Sequence, residues 1–216
     1  MSLSEPPGRQ LLKADLFGTV SLDVERSIVE RDTRRARWWL ALLARRLARR
    51  EFRALRALDG LAGVPRALSF EGGVLTRGFI AGQAMHRARP QDPAYFHAAL
   101  RLVRAMHRQR VAHNDLAKEP NWLVTPAGMP AVVDFQLASV SRRRGRWFRM
   151  RAHDDLRHLL KHKRTYCPER LTARERRVLA TPSHLSRTWM ATGKPVYLFI
   201  TRRLLGWADR EGAGDR

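Results

Sequence analysis

Cysteine occurs once in the 216 residues, at Cys167. An internal disulfide and a cysteine-based zinc cluster are therefore excluded, and the reducing cytosol is the expected compartment. Lysine is nearly as scarce, present at Lys13, Lys118, Lys161, Lys163 and Lys194 alone. No Gly-x-x-x-x-Gly-Lys-Ser/Thr run exists, which excludes a P-loop. Long apolar runs are missing too: the longest near the front, Trp38 to Ala44, falls far below the roughly 20 residues of a membrane-spanning helix. The opening Met1-Ser2-Leu3-Ser4-Glu5-Pro6-Pro7-Gly8 has neither a basic nor an apolar region, so no signal peptide is expected and residues 1–9 read as a flexible start. Acidic residues number 20 against 42 Lys and Arg, a net charge of +22, and 37 of the cations are arginine. A hydrophobic fraction of 44% still excludes a wholly disordered chain.

This length suits one domain or two small lobes sharing an interface, large enough to build a cleft. The charge predicts attraction to a polyanion, whether nucleic acid, an anionic membrane face or a phosphate-rich substrate, and composition does not choose among them.

From Gln10 to Thr33, apolar residues alternate between charged turns and Gly18-Thr19, which predicts two or three short antiparallel strands. Asp32-Thr33 offers an N-cap, and Arg34 to Leu58, free of Gly and Pro, predicts one long basic helix burying Leu40, Leu43, Leu47, Phe52, Leu55 and Leu58. Two apolar runs flank Gly72-Gly73 and predict a tight hairpin over Val64 to Ile80. Ala81-Gly82-Gln83 reads as a linker, and Pro93 to Arg110 as a helix opening a second, mainly helical lobe. The expected class is α+β, with residues 10–81 as one lobe, 82–208 as the other and 209–216 as a tail.

Chemistry concentrates after that helix. Asp115 and Asn121 stand at the ends of one loop, and Asp134 lies just past the strand Ala131-Val132-Val133. The Asp134 carboxylate and an amide together suit hard Mg²⁺, which prefers oxygen ligands and carries a nucleotide's phosphates. His113-x-Asp115…Asn121 and Asp134-Phe135 resemble the catalytic loop and the metal-binding strand end of the protein-kinase-like superfamily, in type and in order. The resemblance implies a two-lobed minimal protein-kinase-like fold using ATP and Mg²⁺. It implies Asp115 as the group that orients or deprotonates the acceptor hydroxyl, Lys118 as neutralising the transferred phosphoryl, and Asn121 and Asp134 as metal ligands. His113 would brace the loop, Arg31 and Glu51 would stand for the phosphate-gripping lysine and its helical partner, and Gly18-Thr19 would lie in the turn covering the phosphates. Asp155 would be the buried aspartate tying the catalytic loop to the second lobe.

Several departures narrow the branch. Arg31 replaces a lysine, Asn114 replaces the arginine that reads a phosphorylated loop, Gln136 replaces a glycine, and Asn121 follows Asp115 by six residues instead of five. With 82 residues after Asp134, the chain resembles RIO-like atypical kinases and bacterial lipopolysaccharide-core sugar kinases. The expected activity is transfer of the γ-phosphoryl group of ATP to a hydroxyl on a glycolipid core sugar or on a protein Ser/Thr. The alternative is a catalytically impaired scaffold whose basic surface binds anionic membrane, nucleic acid or a protein. The apolar segment Lys194 to Trp207, flanked by Arg and Trp, is expected to dock on its own domain or to lie in a membrane interface, giving a cytoplasmic protein peripheral to the inner membrane face. His158 and His162 share a helix face, yet no acidic ligands follow in a metal-site order.

Overall fold

A computed structural model describes residues 8–180. The predicted terminal tail and the Lys194 to Trp207 segment lie outside the described residues. Three strands, β1 (Arg9–Asp15), β2 (Gly18–Asp23) and β3 (Ile28–Asp32), form an antiparallel meander, and Arg9, expected in the flexible start, is the first residue of β1. Helix α1 (Ala41–Ala57) follows, and then β4 (Ala67–Glu71) and β5 (Val74–Gly78) close the sheet in the order β1-β2-β3-β5-β4. Gly72 and Gly73 both take positive φ, the requirement of a two-residue primed turn, so the hairpin forms where Gly-Gly placed it.

The register of β3 against β5 has a chemical consequence. Val29 pairs with Arg77 and Arg31 with Leu75. Side chains two residues apart share a face, so Val29, Arg31, Leu75 and Arg77 all point to one side of the sheet. Two arginines thus project among core residues.

Helix α1 is shorter than expected and buries a different stripe. Residues 34–40 leave the helical path because tertiary hydrogen bonds hold them elsewhere. Thr33 gives both its N–H and its hydroxyl to the Gly73 carbonyl, and the Arg37 N–H donates to the Leu16 carbonyl at 3.1 Å. Asp32 accordingly caps a single 3₁₀ turn (Thr33–Arg35), not the helix. The buried face is Ala44, Ala48, Glu51, Ala54 and Leu55, continuing to Leu58, while Leu43 is exposed. Small alanines let the helix approach its neighbours closely, and their 3.6-residue rhythm carries Glu51 inside.

The second lobe starts with a short strand β6 (Gln83–Ala84) and helix α2 (Met85–Ala88). Asp92 then caps α3 (Pro93–Arg108) by accepting from the Ala94 N–H at 2.8 Å, with Pro93 in the first turn. Strands β7 (Val111–Ala112) and β10 (Ser139–Val140) pair with each other, and β8 (Trp122–Val124) lies between β6 and β9 (Pro130–Val132). Helix α4 (Arg146–Tyr166) and helix α5 (Ala173–Ala180) follow. One buried cluster joins Leu55 and Leu58 of α1 to Phe96, Val103 and Met106 of α3, to Trp122 and Val132, and to Leu159 of α4. The lobes therefore share a continuous apolar seam, the contact that fixes the sheet relative to the loop after β7.

Gly18 permits the closest backbone approach in the sheet. It has φ +119°, and a Cβ there would sit 2.1 Å from the Asp32 carbonyl oxygen. Gly18→Ala is expected to cost at least about 2 kcal/mol in denaturant unfolding. Gly60→Ala is the control: Gly60 also has positive φ but faces no atom within 4 Å, so it carries only the backbone part of that loss.

Candidate active site

The loop after β7 is fastened from behind by one carboxylate. Asp155, fully buried in the middle of α4, accepts from the His113 N–H at 2.8 Å, the Asn114 N–H at 2.9 Å and His107 Nε2 at 3.1 Å. His113, also buried, donates from Nε2 to the Val133 carbonyl and accepts the Asp115 N–H at Nδ1, and its ring packs edge-on to Phe135. That pattern needs the neutral ring, and burial, the largest influence, holds its pKa below the ordinary value. The next carbonyl, Leu116, takes two donors, Trp122 Nε1 at 3.1 Å and His162 Nε2 at 2.8 Å. His162 is thus a brace of the loop, and its pKa is also lowered, chiefly by burial. Tyr166 donates its hydroxyl to Glu119, and burial together with that carboxylate pushes the phenol up to about 12.

The β8–β9 hairpin positions the proposed metal ligands. Trp122 pairs with Val132, and beyond this pair the Val133 N–H donates to the Asn121 carbonyl at 3.0 Å, so Asn121 and Asp134 flank the same hairpin end. The loop's extra residue is absorbed in a 3₁₀ turn (Glu119–Asn121). It returns Asn121 Nδ2 to 2.9 Å from the Asp115 carbonyl and 3.1 Å from Asp115 Oδ2, which orients the amide and turns its oxygen away from both. Lys118 Nζ is 3.0 Å from the same Oδ2. Asp134 adopts left-handed backbone (φ +64°), a conformation Asp tolerates better than most residues, and keeps its carboxylate 38% exposed.

Across from it, Glu51 is fully buried between two guanidinium groups. Arg31 Nε is 3.4 Å from one carboxylate oxygen and Arg77 Nε is 3.3 Å from the other. Neither contact has hydrogen-bond alignment, so both Nε atoms and both oxygens are buried without a bond, and the attraction is purely coulombic. The outer end of Arg31 lies 3.9 Å from Asp134, and Gln136 turns its amide oxygen onto the same guanidinium. Burial pushes Arg77 below its usual range and Arg31 adds to that, whereas Glu51 and Asp134 oppose it.

The structure therefore gathers Asp115, Lys118 and Asn121 on one loop, and Arg31, Glu51 and Asp134 in one charge network. Gly18 and Thr19 stand at the start of β2, where Thr19 pairs with Asp32, and among the described residues no hydrogen bond joins them to either group. Reading the sequence missed Arg77, His162 and Trp122. It also missed Arg50, which reaches from α1 to the Leu137 and Ala138 carbonyls at 2.7 and 2.5 Å. The signal for Arg77 was its alternation with Leu75 on a core face. Asn114, also left-handed, donates to the Leu137 carbonyl at 2.7 Å, so it joins the catalytic loop to the chain after Asp134.

Comparison with known proteins places this arrangement. A family model described as RIO domain matches residues 14–175. The chain belongs to the RIO domain family. Its fold is similar to the crystal structure of the Rio2 kinase from Chaetomium thermophilum, with a TM-score of 0.54 at 17% identity over 77% of this chain. That match takes in 56% of the Rio2 chain, so this chain spans little more than half of its length. The expected kinase-like, two-lobed α+β fold is therefore observed.

In this RIO domain the donor set fits Mg²⁺: the Asn121 amide oxygen and the Asp134 carboxylate are hard ligands. Two protein ligands suit an ion that keeps waters and phosphate oxygens in its remaining positions. The outer nitrogens of Arg31, facing Asp134 and Gln136, present a cation beside that carboxylate, which fits the phosphates themselves.

Two outcomes follow from the packing. Asp155→Ala strands three buried donors and is expected to lower stability by about 3 kcal/mol or more, read in chemical denaturation. His113 and His162 have folded pKa values below the ordinary 6.5, so the unfolded chain takes up protons first as pH falls. Their stabilisation is complete above about pH 6.5 and is lost below it, by up to about 1.4 kcal/mol per pH unit for each histidine. Thermal melts from pH 7.5 to 5 should show this fall, and His162→Gln should make it shallower.

Proposed function

We propose that this RIO domain transfers the γ-phosphoryl group of ATP, with Mg²⁺, to a hydroxyl. The observation that carries the reading is the reach of Arg31 on β3 to both Glu51 of α1 and Asp134 just past β9, which sets a mostly buried cation beside a carboxylate suited to a metal. Arg31 would grip the nucleotide phosphates, with Glu51 holding its inner end. Asn121 and Asp134 would hold Mg²⁺, which when bound neutralises phosphate charge and aligns the transferred group.

Asp115 Oδ2 is occupied by Lys118 and Asn121, so Oδ1 is the oxygen that accepts the acceptor's proton or its hydrogen bond. Lys118 would then face the transferred phosphoryl. Gly18 and Thr19 would cover the phosphates as the turn between β1 and β2. Arg77 would hold the second oxygen of Glu51 while Arg31 engages the nucleotide, a role the register of β5 supports.

The acceptor is a protein Ser/Thr side chain or a lipopolysaccharide-core sugar; the net charge of +22 suits an acidic or phosphate-bearing acceptor, and the family relationship favours protein. We place the activity in the cytoplasm, at the inner membrane face if the acceptor is the glycolipid. Incubation with labelled ATP and either purified lipopolysaccharide core or a protein extract separates the two.

Calorimetric titration of ATP with and without Mg²⁺ tests the cleft. Asp134→Ala is expected to abolish the Mg²⁺-dependent component. Asp115→Asn is expected to retain ATP binding and to lower the turnover number by about 10²- to 10⁴-fold. ATP binding without any Asp115-dependent turnover would instead make the domain a nucleotide-binding scaffold.

A further inference from the structure

The two most exposed large apolar side chains among the described residues, Trp38 and Leu42, lie at the start of α1, beside two more. Trp38 is 88% exposed, Leu42 83%, Trp39 50% and Leu43 44%. They follow one another at i,i+4 spacing, Trp38 to Leu42 and Trp39 to Leu43, from a 3₁₀ turn (Trp38–Leu40) into the helix. Arg35, Arg37, Arg45 and Arg46 flank them in the sequence, all exposed and none within ion-pair distance of a carboxylate among the described residues, although Arg35 acts on Asp32 from further off. The segment is held in place from behind by the Arg37 N–H on the Leu16 carbonyl and by the buried alanine stripe. It is therefore a firm, outward-facing patch.

We propose that this patch docks the protein on an anionic lipid bilayer, with Trp38, Trp39 and Leu42 entering the headgroup–acyl boundary and the arginines meeting lipid phosphates. Indole rings and leucines beside arginines are the composition of an interfacial helix face, where apolar burial and attraction to anionic headgroups add. Charge decides against the other occupants. A second copy of this chain would bring two arginine clusters face to face. Residues 181–216 hold six Lys and Arg against three Asp and Glu, so that segment of the chain is itself cationic and does not complement the rim. Nucleic acid would satisfy the arginines and stack on the indoles but would leave Leu42 and Leu43 in water. The crowding of cations is independently visible nearby, where Arg46 and Arg151 help to depress the pKa of Arg50 after burial has done most of it.

The inference does not rest on phosphoryl transfer. The patch lies on the helix that carries Glu51, nine residues and about 14 Å along the axis from Leu42. A seated protein would hold its cleft near the bilayer surface.

The test is co-sedimentation of the full chain with vesicles of phosphatidylcholine alone and with about 30% phosphatidylglycerol, at near-physiological salt. Binding to the anionic vesicles only is expected. The triple variant Trp38→Ser/Trp39→Ser/Leu42→Ser should weaken it by about tenfold or more, and Arg45→Glu/Arg46→Glu should do the same with the apolar residues intact. ATP affinity should be unchanged in both variants. Equal binding by the triple variant would place the contact on another surface and overturn the proposal, as would absence of binding to either vesicle. A concentration-dependent dimer lost in the triple variant, or polynucleotide binding lost in it without vesicle binding, would overturn it in favour of those partners.

Discussion

A carboxylate enclosed between two guanidinium groups governs the upper half of this cleft. Glu51 has no contact with water and no hydrogen bond, only the attraction of Arg31 and Arg77. Such a cluster is expensive to desolvate, and one anion against two cations leaves an excess of positive charge in a region of low dielectric. The partial compensation comes from Asp134, at 3.9 Å from Arg31 and still open to solvent. An assembly of this kind contributes little to folding and much to selectivity, because a polyanionic ligand supplies the charge the site lacks. Arginine in place of lysine is consistent with that design: its fork reaches Glu51 with one nitrogen and Asp134 with another, which a single ammonium cannot do at both distances.

The lower half uses the opposite economy of polar groups. Asp155 is as buried as Glu51 but accepts three well-aligned hydrogen bonds, two from consecutive backbone amides. Where Glu51 leaves charges imperfectly matched on the sheet side of the cleft, Asp155 leaves nothing unmatched behind the loop that carries Asp115. The loop bearing Asp115 is therefore held rigidly, with Leu116 fixed by Trp122 and His162 from the other side.

The catalytic half was legible because its chemistry is local in sequence. Asp115, Asn121 and Asp134 sit within one loop and one hairpin, and spacing conveys their juxtaposition. The sheet was legible through alternation and Gly-Gly. The start of α1 was not, since helix propensity across residues 34–40 loses to Thr33 and Arg37 hydrogen bonds with partners 40 and 21 residues away in the chain. The buried stripe of α1 was misread because leucine outranks alanine by hydrophobicity, whereas close approach selects alanine at 44 and 48. Arg77 was invisible for a related reason: only strand register, a long-range property, puts it opposite Val29 and over Glu51. His162 resembled half of a metal pair until the fold turned it onto a carbonyl.

The segment after Asp134 is short, reaching α4 at Arg146, and it is cross-braced. The Leu137 carbonyl takes one donor from Asn114 of the catalytic loop and one from Arg50 of α1, and β10 pairs with β7. A long unbraced loop in that place would have to be ordered each time a ligand arrived, with the loss of conformational entropy deducted from affinity. Here that loss is borne once, when the chain folds. Ligand arrival therefore need not order this segment, and its bracing contributes to affinity by preorganisation.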